Sequence, residues 1–112
     1  MKKRVDWVLK NNSYEIVVNS GIMSEFIPKK EIVVYENDAK NKIDIAARIY
    51  ERQCSDYVMT VDFKKGICSF VFSSEDKCSF DVKASFLETK NSIVLKYSLD
   101  EDEKEIIVSW KD

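Results

Sequence analysis

Thiols and carboxylates are the residues of this chain that could do chemistry, because it contains no histidine. Without imidazole the commonest general base and metal ligand is missing. Ser-His and Cys-His nucleophile pairs cannot be assembled within one chain. Zinc would need Cys54, Cys68 and Cys78 together with a carboxylate, and no closely spaced C-x-x-C pair starts such a site. The cysteines therefore read as small buried hydrophobes. Two isolated glycines cannot build a phosphate-cradling loop, so no cofactor is expected. The composition argues against an enzyme.

The charged side chains have both plain and sharper readings. Asp100, Glu101, Asp102, Glu103 and Glu105 form an acidic run that lacks the alternating ligands and glycine of a calcium loop. It reads as a solvated hairpin loop, or as an acidic patch for a basic partner. Arg48 and Arg52, with Asp44 and Glu51, would make an exposed i,i+4 lattice on a helix, or one side of a protein interface. Trp7, Phe70, Phe80 and Trp110 are strand aromatics whose ordinary role is core packing. Lining one cavity, they would instead hold a small apolar ligand.

Composition bounds the class. With 112 residues, 45% hydrophobic and 12% aromatic, the chain is sized for a single domain, 1–112, with a real core. The formal charge of −2 speaks against nucleic acid and anionic membrane as partners. No run approaches the ~20 apolar residues of a membrane-spanning helix. The start MKKRVDWVLKNN has no apolar signal core. An odd number of cysteines without a signal peptide points to a reducing, cytoplasmic setting.

These residues must be positioned by strands and, by periodicity, one helix. Val5, Trp7 and Leu9, then Tyr14, Ile16 and Val18, alternate with polar residues as a hairpin turned at Asn11-Asn12-Ser13. Pro28 bars a central strand at 22–30, where a short edge strand or packed connection fits. Ile32 to Tyr35 is a third strand. Over 39–53, Ala39, Ile43, Ala46, Ala47, Tyr50 and Cys54 share one face at 100° per residue, which predicts the only helix.

Five strands follow, with inward residues at 57–63, 68–72, 78–86, 93–99 and 106–110. Loops at 65–66, 73–77, 88–91 and 100–103 keep the parity that holds one face apolar. That register sets Cys68 opposite Val82 and Cys78 opposite Phe72, so no disulfide is expected between them. The window Ile67–Phe72 is apolar on both faces and calls for a central strand covered on both sides, with the helix as the cover.

The predicted class is α+β: an antiparallel meander of about eight strands, a curved sheet or partly open barrel, with the helix packed across it. The leading functional expectation is a small non-enzymatic binding module that recognises another protein, of inhibitor, immunity or accessory type. A small-apolar-ligand barrel is the alternative. A further one is a single-stranded nucleic-acid binder, because three strands, a helix and further strands follow the OB-fold order. A homo-oligomer stays open.

Overall fold

A computed structural model describes all 112 residues, Met1–Asp112. The chain is all-β. Eleven antiparallel strands run β1 (Lys2–Asn11), β2 (Tyr14–Ile27), β3 (Glu31–Glu36), β4 (Ala39–Asp44), β5 (Ile49–Cys54), β6 (Tyr57–Asp62), β7 (Ile67–Phe72), β8 (Lys77–Asp81), β9 (Ala84–Glu88), β10 (Ser92–Leu99) and β11 (Asp102–Ser109). No helix is present, so none is long and apolar enough to cross a membrane; that says nothing of strands.

The predicted helix at 39–53 is instead the β4–β5 hairpin, and this overturns the α+β class. Burial over β4 and into the turn follows period two: Ala39, Asn41, Ile43 and Ile45 are buried, while Lys40, Lys42 and Asp44 are half-exposed. A β-branched pair, Ile43 and Ile45, suits a pleated face better than a helix. The turn at 45–48 is held by Asp44, whose Oδ1 accepts the Ala47 N–H at 2.9 Å. Arg48 closes it in the left-handed region, φ 57°. The Ile45 N–H donates to the Lys30 carbonyl at 2.9 Å, and the Phe63 N–H to the Arg48 carbonyl at 3.0 Å.

Two revisions together bring eight strands to eleven. The hairpin contributes two, and the predicted strand at 78–86 breaks at Val82-Lys83 into β8 and β9. At the break, Lys83 leaves the β8 line; its N–H donates to Ser98 Oγ at 3.1 Å and its carbonyl accepts the Ser98 N–H at 3.1 Å. β2 runs through 22–27, and Pro28 sits just beyond it, in a turn closed by the Lys30 N–H on the Ile27 carbonyl at 3.0 Å. Lys29 takes the positive φ, 61°, that the third residue of such a turn requires.

The chain folds as two compact units. The first holds Met1–Lys2 and Ser24–Asp81, with strand order β8-β7-β6-β5-β4-β3 and the end of β2. Its inward face carries cross-strand rows, among them Ile32, Ile43, Tyr50, Val61 and Cys68, all completely buried. The second holds Lys3–Met23 and Val82–Asp112, built on β1, β11, β10 and β9. There Trp7, Val108 and Ile93 form one buried row, with Ile106 and Leu95 beside it. Asn12 and Ser13 both have positive φ, 51° and 71°, the geometry of a two-residue hairpin turn between β1 and β2.

Loop lengths differ from expectation while the faces are kept. The β6–β7 turn covers 63–66, the β10–β11 turn only Asp100-Glu101, and β7 meets β8 two residues out of the predicted register. Cys68 therefore lies opposite Phe80 and Cys78 opposite Phe70. A shift of two preserves side-chain direction, which is why alternation could not detect it.

Candidate functional site

The strands β5 to β8 bring together the most unusual surface of the first unit. Their common face runs Tyr50, Arg52 and Cys54 on β5, Tyr57, Met59 and Val61 on β6, Cys68, Phe70 and Phe72 on β7, and Cys78 and Phe80 on β8. It grades from a sealed core to an open aromatic patch.

At the sealed end lies a polar network centred on Asn41, which is completely buried. Its Oδ1 accepts the Tyr50 hydroxyl at 2.6 Å and Arg52 Nη1 at 3.1 Å. Its Nδ2 donates to Glu36 Oε1 at 2.7 Å, and the same oxygen takes Arg52 Nη1 at 2.9 Å. Burial opposes the Arg52 charge, but Tyr50 and Glu36 more than offset it and hold the guanidinium above its ordinary range. Each charge has its partner, so the network reads as structural.

At the open end four rings touch. Phe70 stacks on Phe72 at 5.7 Å and on Phe80 at 6.1 Å, and meets Tyr57 edge-on at 5.7 Å. These separations are those of favourable ring pairs. Yet Phe72 and Phe80 remain 39% and 37% exposed, and every residue of β8 is exposed. Desolvation and a hydrogen bond with Cys54 raise the Tyr57 phenol above its ordinary range. Burial, with Cys78 nearby, pushes the Cys68 thiol up to about 11, so it is no nucleophile at neutral pH. All three cysteines are free thiols.

This face also revises the reading of Ile67–Phe72. β7 is next to the last strand of its unit, no helix covers it, and Val71 on its opposite face is 43% exposed. What was expected to be a doubly covered strand is half of an open ribbon.

The other sequence-derived residues are placed as follows. Phe70 and Phe80 meet in the aromatic cluster, whereas Trp7 and Trp110 belong to the second unit. Trp7 is completely buried, its indole N–H without an acceptor, and Trp110 is half-buried on a shallow recess with Arg4 and Lys111. Asp100 and Glu101 form the exposed β10–β11 turn. Asp102 accepts Asn12 Nδ2 at 2.9 Å, and the Glu103 N–H donates to Asn12 Oδ1 at 2.8 Å, so the acidic run is pinned to the β1–β2 turn.

The expected helix lattice separates. Arg48 lies in the β4–β5 turn, Arg52 points into the Asn41 network, and Glu51 lies opposite Lys42, on the other face from Arg52. Tyr57 and Phe72 join the cluster without being singled out by the sequence pattern, although alternation places both on one face. No group of three or more acidic or thiol side chains is arranged to hold a metal ion.

Comparison with protein-family models, curated proteins and solved structures gives no match to this chain.

Proposed function

We propose that this protein is a small non-enzymatic binding module that recognises another protein through the aromatic face of β6–β8. The observation that carries the reading is the contact cluster Tyr57, Phe70, Phe72 and Phe80, left half-open beside a fully exposed strand. Aromatic rings in contact but short of burial are the usual anchors of protein interfaces. The chemistry favours apolar side chains from the partner seated on the ring faces. On this face of β5–β8 the one cation is Arg52, already held by Glu36. A nucleic-acid groove would interleave unpaired cations with its stacking rings. Three free thiols support a reducing, cytoplasmic location.

The test compares affinity capture from the source cells by wild type and by Phe72→Ser/Phe80→Ser. Both side chains are already more than a third exposed, so the variant is expected to fold. A stoichiometric protein bound by wild type and lost by the variant supports the reading. Equal recovery by both contradicts it, as does a small molecule co-purifying in native mass spectrometry with no protein partner.

A further inference from the structure

β8 is the last strand in its unit's order, and its outer backbone edge has no hydrogen-bond partner in the pairing of the strands. Which of its groups face outward follows from the ladder. The Phe72 N–H donates to the Asp76 carbonyl at 2.9 Å, so in this register Phe70 with Cys78 and Cys68 with Phe80 are the hydrogen-bonded pairs. Their backbone groups point at β7. Those of Lys77, Ser79 and Asp81 therefore point away from it. On the opposite face from the aromatic rings, the side chains of Lys77 and Asp81 stand exposed, four residues apart and without an ion pair in the chain.

We propose that this edge is a self-pairing surface on which a second copy of the chain adds its own β8 antiparallel, about a two-fold axis through Ser79. In that register Lys77 lies opposite Asp81 of the second copy, Asp81 opposite its Lys77, and Ser79 opposite Ser79. Each pair presents outward N–H and carbonyl groups to the other, so each exchanges both backbone bonds. The strand KCSFD is thus complementary to itself in charge as well as in backbone direction. A two-fold contact requires that property of its surface. Cys78 falls opposite Phe80 of the second copy, which extends the ring face across the axis. Natural edges are commonly blunted by proline, bulges or inward charges. β8 has no proline, and its edge charges, Lys77 and Asp81, meet their opposites across the axis.

The surface is distinct from the ring faces of the proposed function, and it is read on the purified protein alone. Sedimentation equilibrium of wild type is expected to show a mass rising from 13.1 kDa toward twice that value. The rise should fall between ~10 μM and ~1 mM, as suits a small interface. Lys77→Asp and Asp81→Lys each set like charges opposite one another twice per dimer and should weaken association about tenfold. Mixing the two variants sets Asp against Lys at both positions, and the double variant does the same within one chain; both should recover the wild-type mass curve. Ser79→Pro removes an N–H that β7 does not use and should leave a folded monomer. A wild type that stays at 13.1 kDa up to ~1 mM overturns the proposal. So does association that ignores the charge swaps, or that the mixture does not restore.

Discussion

Replacing Asn41 by Ala should cost far more than its chemistry suggests from sequence. Asn41 is completely buried and joins Tyr50, Arg52 and Glu36. Its loss removes the acceptor of the 2.6 Å hydrogen bond that the buried Tyr50 hydroxyl donates, a penalty of about 1–3 kcal/mol. It also removes bonds to two charged groups, worth about 1.5–3 kcal/mol each before Arg52 and Glu36 compensate through their own 2.9 Å contact. A net loss of about 3–4 kcal/mol is expected. For a chain of this length that lowers the melting temperature by about 12–16 °C.

The assay is thermal and urea unfolding followed by circular dichroism, run as a cycle with Tyr50→Phe. Alone, Tyr50→Phe should cost about 1–1.5 kcal/mol; in the Asn41→Ala background it should cost almost nothing. A melting point within a few degrees of wild type, or strictly additive losses, would refute the network.

Ile43→Asp places a carboxylate at a completely buried position and should abolish the cooperative melt, whereas Arg48→Ala, in the β4–β5 turn, should stay folded. Lys29→Gly relieves a side chain at φ 61° and should raise stability by up to about 1 kcal/mol in urea titrations; a loss would mean that the turn is built otherwise. The Cys68 thiol is raised from its ordinary 9 to about 11. Below pH 9 both folded and unfolded chains keep this proton, so its contribution is constant. Between pH 9 and 11 only the unfolded chain releases it, so stability falls as pH rises. Tyr57 shifts in the same direction, so Cys68→Ala should flatten the slope of urea midpoint against pH without removing it; an unchanged slope would contradict the assignment.

The strand faces were legible in the sequence because alternation fixes direction. Trp7, Ile93, Leu95, Ile106 and Val108 are buried where period two puts them. The segment 39–53 reads as a helix because Ala39, Ile43, Tyr50 and Cys54 satisfy both a 100° stripe and one face of a hairpin. Asn41 and Arg52 decide between the two. As a charged residue Arg52 reads outward until Glu36 and Asn41, brought from other strands, give it partners. Tertiary hydrogen bonding overrode local pattern there.

The same error concealed the site. Phe70 and Phe80 stood out as aromatics, but assigning a helical cover to Ile67–Phe72 turned an open ribbon into a closed core. The acidic turn was readable, whereas its pinning by Asn12 depends on a contact 90 residues away in sequence.

Photo-crosslinking from position 80 tests the central claim most directly. A benzophenone amino acid in place of Phe80, on the half-exposed ring face, is expected to give one discrete protein adduct in source cells. Excess unlabelled wild type should compete it away, and the Phe72→Ser change should abolish it. No discrete adduct at position 80, while the same probe at exposed Leu87 on β9 captures a protein that wild type competes, would contradict the account.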